Sequence, residues 1–348
     1  MDRSEKALKT LNPNRAIIPV LIGLAIVLYI FFTDPNLTTD NLRLIFQASF
    51  PVLVLSLVVL LCRDLGYIYR IRTLTSQDLS WKSSIYVILL WEFASAVTPS
   101  VVGGTAVAIF ILMKENIKLG RAIAYVILTA ILDNMYFIVG APIVLLFTDG
   151  EVFPGYYGQW STFFYISYSL ILTYTLIMCF AVFFKPRLFK WLLIKLTGLK
   201  WLRKWRSEAV TQGDELILAS KELRGKDFSY WARIIAATAF IWTARYLLLN
   251  TIISAFTSPS LSEHVSLFSR QIIMWVVMLI SPTPGAAGVA EVSFGGFFKD
   301  YLGELILIIN IVWRLLTFYF YLFVGIFVLR KWIGKVFKKK SPDAVAKA

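Results

Sequence analysis

The chain has 348 residues, of which 58% are hydrophobic, with a mean hydropathy of +0.71 and a net charge of +14 at pH 7. Soluble domains use about 45–50% apolar residues, so a water-soluble globular fold is excluded and an all-α polytopic membrane protein is expected. The positive charge does not call for nucleic acid. It sits in short loops between apolar runs, as in the positive-inside pattern, beside anionic membrane lipids that attract each basic residue by about 1 kcal/mol.

Residues 1–15 carry Arg3, Lys6, Lys9 and Arg15 and are read as a cytoplasmic N-terminus. Residues 16–32 form a first span, retained rather than cleaved, because no small-residue cleavage site follows and more spans do. Residues 33–41 are polar and acidic and suit the outside. Residues 44–62 return, with Pro51 as a candidate kink, and residues 63–81, holding Arg63, Arg70 and Arg72, are read as a cytoplasmic loop.

Residues 81–113 are too long for one span, since a single helix would measure about 50 Å against a hydrocarbon core of about 30 Å. A break lies at Thr98-Pro99 with Gly103-Gly104 following, and Lys114, Lys118 and Arg121 come next. A hairpin that enters from the cytoplasm and returns there is expected, as a re-entrant loop or a tight pair of full spans. Residues 121–147 lead outward and 162–184 return. Residues 185–233 form a large cytoplasmic loop with twelve basic residues; within it, 187–205 interleaves Trp and Leu with Lys and Arg like an interfacial amphipathic helix, and 208–223 reads as a second, more polar helix.

Residues 230–256 run outward, and 257–264 form a polar loop with the lone histidine, His264, exposed in it. Residues 268–298 are the second broken segment, entered from outside and interrupted at Ser281-Pro282-Thr283-Pro284-Gly285 and Gly288. Residues 302–329 cross inward to a basic cytoplasmic tail from 331 to 348. Thirty of the 35 basic residues then fall on the cytoplasmic side. The fold class is about six full spans plus two broken segments. A single transmembrane domain occupies 16–330, with basic interfacial helices at 185–230. The two broken segments enter from opposite sides, a possible inverted repeat of the kind that places a transporter site between two unwound tips.

Five ionisable residues fall inside apolar runs: Glu92, Asp133, Arg245, Glu291 and Arg314. Each costs at least about 2.5–3.5 kcal/mol at the bilayer centre and is a functional candidate on that ground. They can pair to hold helices together, leaving one carboxylate over, or line a site. Glu291 adjoins irregular backbone, and with Arg314 it suits a headgroup site to which free tip amides would contribute. Pro284, Gly285 and Gly288 in the second segment, and Thr98, Pro99, Gly103 and Gly104 in the first, complete the candidate substrate-binding set; the glycines read equally as helix-packing residues. Cys62 and Cys179 lack ligand spacing and read as inert thiols. No metal site, cofactor or catalytic nucleophile–base pair is expected.

Pro282-Thr283-Pro284-Gly285-Ala286-Ala287-Gly288-Val289-Ala290-Glu291 resembles the Pro-Thr-Pro-Gly-Gly-x-Gly-x-x-Glu signature of the lysylphosphatidylglycerol synthase transmembrane, flippase-like family. Arg314 in Val312-Trp313-Arg314-Leu315 resembles its final-span Tyr/Trp-Arg-Leu motif, and Asp133 its acidic residue after the first broken segment. Thr98-Pro99 with Gly103-Gly104 matches the first-half element in part, because Thr105 and Ala106 stand where members often carry Glu and Arg. The resemblance spans residues 16–330. It implies a membrane domain that moves lipids between leaflets, its ligand a phospholipid or polyprenyl-linked lipid. With about 18 residues after the last span, any lipid-modifying enzyme is expected to be a separate protein. The competing reading is a non-transporting accessory subunit of a lipid or glycan synthesis complex.

Overall fold

The computed structural model describes residues 43–98, 100–148, 152–154, 157–199, 201–279, 286 and 288–338. The expected first span at 16–32, Pro99, Pro284, Gly285 and the end of the tail lie outside them. Among the described residues every regular element is helical. Helices α1 (Phe50–Leu74), α2 (Trp81–Val97), α3 (Ser100–Lys114), α4 (Leu119–Phe147) and α5 (Tyr157–Cys179) are followed by the short amphipathic α6 (Pro186–Leu196) and by α7 (Arg206–Arg224). Then come α8 (Phe228–Ser254), α9 (Leu261–Met278), α10 (Val289–Leu302), α11 (Ile306–Arg314) and α12 (Phe320–Lys338). Five described stretches are long and apolar enough to cross a membrane: Phe50–Leu74, Leu119–Phe147, Trp160–Phe184, Phe228–Ser254 and the composite Val289–Lys335. Their outward faces stay apolar, as with Val54, Leu57, Val58, Leu61 and Leu65 on α1, which is what a lipid-facing helix requires.

Several boundaries differ from the sequence reading. Helix α1 does not stop at Cys62; it continues to Leu74, carrying Arg63, Asp64 and Arg70 with it, and all three are buried. They leave the expected loop and the cytoplasmic charge tally because buried partners meet them. Pro51 does not kink α1. It sits in the first turn, where the missing N–H has no intrahelical acceptor to lose. His264 is not in a loop. Helix α9 begins at Leu261, capped by Ser260 and Glu263 in a reciprocal capping box, and half-buried His264 lies against Asn250 of α8, whose Nδ2 donates to the His264 carbonyl at 2.9 Å. The interfacial stretch is shorter than expected: α6 ends at Leu196, and a separate 3₁₀ turn forms at Arg203–Trp205.

Residues 81–113 do divide, with α2 ending at Val97 and Thr98 extended at φ −102°, ψ 138°. At 17 and 15 residues, α2 and α3 measure about 25 and 22 Å, each shorter than a full crossing, and they pack on each other. Helix α1 packs closely along α8. Gly66 permits this, since a Cβ there would fall 2.8 Å from Ile241 Cγ1. Gly325 likewise lets α12 lie on Phe93 of α2, where a Cβ would come within 2.3 Å of the ring.

Two apolar clusters organise the interior. One joins the ends of α1 and α8 around Ile71 and Ile234 to α2, α3, α7 and α12; the other joins α4, α8, α9, α10 and α11 around Phe137, Ile273 and Phe294. The first is closed at one end by Glu115, in the turn after α3. Its carboxylate accepts from Ser83 Oγ at 2.6 Å, Trp332 Nε1 at 2.8 Å and Lys335 Nζ at 2.9 Å. Burial alone would raise this carboxyl, but the donors Ser83, Lys335 and Trp332 outweigh it and hold it below its ordinary value of 4.5.

Two stability outcomes follow. Replacing Gly66 by Leu overfills the α1–α8 contact and costs about 1–3 kcal/mol, read as an earlier thermal unfolding midpoint in detergent. Glu115→Gln removes charge-assisted bonds worth about 1.5–3 kcal/mol each. Because the folded carboxyl titrates below 4.5, its contribution is complete above that pH and is lost as pH falls through the folded value. The gap between wild type and Glu115→Gln is therefore wide at pH 7 and closes in acid; a gap that does not change with pH would refute the assignment.

Candidate functional site

A cavity of about 340 Å³ lies where the two apolar clusters meet, lined by Ile71 and Ile88 from one and by Phe137 and Trp313 from the other. Both broken segments reach it: Ser95, Thr98 and Thr105 from the first, Leu279 and Ala286 from the second. Glu92, Asp133, Arg245 and Arg314 also line it, together with Arg70 and Tyr67 of α1. Four of the five intramembrane charges singled out by sequence therefore face one space.

Helix α1 supplies the part that sequence reasoning missed. Arg63, Tyr67 and Arg70 recur at i, i+4 and i+7, one face of a helix. Arg63 Nη2 lies 2.8 Å from Asp64 Oδ1, 3.4 Å from Glu92 Oε1 and 2.6 Å from the Tyr321 hydroxyl, which also bonds Asp64 at 2.7 Å. Arg70 meets Asp133 through two nitrogens, at 2.5 and 3.2 Å, and also Thr238 Oγ1 at 3.1 Å. Trp242 Nε1 donates to Asp133 at 2.8 Å. Tyr67 stands between these groups, with the two guanidinium carbons 5.5 and 5.2 Å from its ring centroid. A hydropathy cut at the first charge hides this pattern, whereas the helical spacing of 63, 67 and 70 displays it.

Glu291 and Arg314 are brought together as an ion pair, Nε to Oε1 at 2.8 Å. The other Glu291 oxygen accepts from the Gly288 backbone N–H at 2.6 Å, capping α10. Gly288 takes φ +81° and Ala286 φ +54°, in the left-handed region that costs least for glycine. Arg314 lines the cavity and packs 4.3 Å from the Phe318 ring centroid, whereas Glu291 is buried behind it as the link to α10. A π-helical turn, Leu315–Tyr319, follows at once; such turns often mark functional positions.

The remaining candidates separate. Gly103 and Gly104 are not at a tip but inside α3. A Cβ at Gly104 would fall 2.5 Å from Ser95 Oγ of α2, so this glycine serves helix packing. Thr98 Oγ1 donates to the Ala94 carbonyl at 2.6 Å and finishes α2. Arg245 meets no carboxylate within 4.0 Å among the described residues; its Nη1 donates to the Tyr67 hydroxyl at 3.3 Å, and its guanidinium lies over the Trp242 and Trp275 rings at 5.2 and 4.8 Å. The expected pairing scheme left one carboxylate over. With Arg63, Asp64 and Arg70 included, it is Arg245 that lacks a carboxylate. No group of three or more His, Cys, Asp or Glu side chains with metal-binding geometry occurs among the described residues.

At the bundle's edge, Leu188, Trp191, Leu192 and Leu196 form an exposed apolar stripe on α6. The opposite side is tied to α7 by Lys190 and Asp214, and α7 to α4 by Arg121 and Glu222 at 2.9 Å.

The sequence profile described as Lysylphosphatidylglycerol synthase TM region matches residues 17–325. The chain is also 24% identical over 316 residues to a UPF0104 membrane protein of Archaeoglobus fulgidus, with 88% of this chain and 94% of that protein covered. With the profile matching from residue 17 to residue 325, this multi-pass membrane protein belongs to the lysylphosphatidylglycerol synthase transmembrane family.

Proposed function

We propose that the chain is a lipid flippase or lipid-linked-precursor transporter of the cytoplasmic membrane, with both termini in the cytoplasm and no catalytic step of its own. The observation that carries this reading is the cavity of about 340 Å³ in the bundle, charged on α1, α2, α4, α8 and α11 and reached by both broken segments. Its size is near the lower end of ligand sites, which run about 300–1,000 Å³. It suits a polar headgroup, while acyl or polyprenyl chains stay in the lipid. In this reading Arg314, which lines the cavity, meets the headgroup, and Glu291 couples it to the start of α10. The two segments would enter from opposite sides as inverted hairpins, the arrangement that lets a fixed midplane site open alternately. An enzyme that modifies the lipid would be a separate partner.

The direct test is transfer of fluorescent lipid across proteoliposomes containing the purified chain. Transfer above protein-free vesicles for at least one phospholipid or polyprenyl-linked lipid is expected, and Glu291→Gln should slow it about tenfold or more by leaving Arg314 buried beside a neutral partner. Absence of transfer for every lipid tried, with Glu291→Gln tolerated and an enzyme co-purifying, would favour the accessory subunit instead. The inverted arrangement has its own check: single cysteines at exposed Met113 and Lys299 should be alkylated from opposite sides of the membrane, and labelling from one side refutes it.

A further inference from the structure

We infer that α6 and the turn after it form a contact surface for an anionic lipid leaflet, and that α7 passes the seating of this surface to the bundle. The inference holds whether or not the chain moves lipid. At 11 residues, α6 measures about 16 Å, too short to cross a hydrocarbon core of about 30 Å. It starts at Pro186, just after the spanning stretch Trp160–Phe184 ends, so it leaves the bundle at the rim of the bilayer. Its outward face is one stripe, Leu188, Trp191, Leu192, Lys195 and Leu196, with the i, i+3, i+4 spacing of a single helix side. Trp191 is 52% exposed, and beyond the helix Trp201 is 74% exposed. Through exposed Phe180 and Phe184 this apolar surface is continuous with that of the span, and the lipid that covers the span meets the stripe as well.

Charge selects the kind of leaflet. Residues 185–207 hold eight basic residues and no acidic one. Lys190 is committed to Asp214 of α7, on the side opposite the stripe, whereas Arg187, Lys195, Arg203 and Arg206 are exposed. Lys195 Nζ lies 4.8 Å from the Trp191 ring centroid, so cation and indole share one margin of the stripe, the amphipathic pairing that suits a headgroup layer. Each such cation raises affinity for an anionic surface about fivefold. The inward side is tied to the bundle. Phe189 packs on the first apolar cluster, and Ser220 Oγ of α7 donates to the Val182 carbonyl in the π-helical turn Phe180–Phe184 at the foot of α6. Glu222 of α7 meets Arg121 in the first turn of α4 at 2.9 Å, and α4 carries Asp133 to the cavity. A force on α6 at the membrane surface is therefore applied to α4.

The test uses the full chain with Cys62→Ser and Cys179→Ser, spin-labelled through Leu192→Cys or, at an exposed position of α7, through Thr211→Cys. It is placed in nanodiscs of phosphatidylcholine with or without phosphatidylglycerol, and relaxation of the nitroxide by oxygen against a water-soluble nickel chelate reports its depth. In anionic discs the Leu192 label is expected to favour oxygen and the Thr211 label nickel. Omitting phosphatidylglycerol, raising salt toward 1 M, where the Debye length falls to about 3 Å, or combining Arg187→Gln with Lys195→Gln should each lower the oxygen preference at Leu192, with the thermal midpoint of the double variant in detergent unchanged. Phosphatidylglycerol should also raise the thermal midpoint in discs, and Glu222→Gln should remove that increment while the Leu192 label stays in lipid. A Leu192 label that remains in water in anionic discs, or that is immobilised only by a soluble acidic peptide, overturns the lipid surface. A depth that does not depend on phosphatidylglycerol overturns its charge preference, and an increment that survives Glu222→Gln overturns the coupling.

Discussion

A guanidinium can stay inside an apolar bundle only if a counter-charge and hydrogen-bond acceptors come to it, and this requirement arranges the helices here. Arg63 and Arg70, one face of α1, draw Glu92 from α2, Asp133 from α4, Thr238 from α8 and Tyr321 from α12. Four helices are thereby oriented toward α1 by groups whose isolated burial would cost several kcal/mol each. Hydrophobic packing fills in around them, with Gly66 letting α8 close on α1. The cavity lies where these polar groups converge and the apolar clusters meet.

The same economy governs the second half with different parts. Glu291 is at once a helix cap and a counter-ion, one oxygen on the Gly288 N–H and the other on Arg314. The carboxylate thus joins backbone that leaves the left-handed region to a cation that faces the cavity. Neither half of the cavity is a free-standing pocket; each wall depends on ion pairs made by residues behind it.

Much of this is legible in the sequence. Isolated charges in long apolar runs are conspicuous, so Glu92, Asp133, Arg245, Glu291 and Arg314 stood out individually. Arg63, Asp64 and Arg70 did not. They cluster where hydropathy falls, and a cluster of charges at the end of an apolar run has the same local pattern whether it is a loop or a buried network. Deciding between them needs the partners, which lie 29 to 258 residues away in the chain. His264 shows the same limit: its sequence neighbours are polar, but it lies within α9 and Asn250 of α8 meets it there. Gly103-Gly104 reads equally as part of a binding tip and as a packing pair, because glycine allows close approach in either role, and for Gly104 only the proximity of Ser95 separates the two.

The π turn after Arg314 reconciles two registers on one helical rod. Upstream, Arg314 must face the cavity and Glu291. Downstream, α12 is pegged at two points, Gly325 under Phe93 and Trp332 with Lys335 on Glu115. A turn with i→i+5 bonds holds one residue more than an α-turn; without it, everything beyond would rotate by about 100° and advance about 1.5 Å. Leu315–Tyr319 therefore works as a fixed phase offset between a site that must point inward and a strut that must stay in its seat.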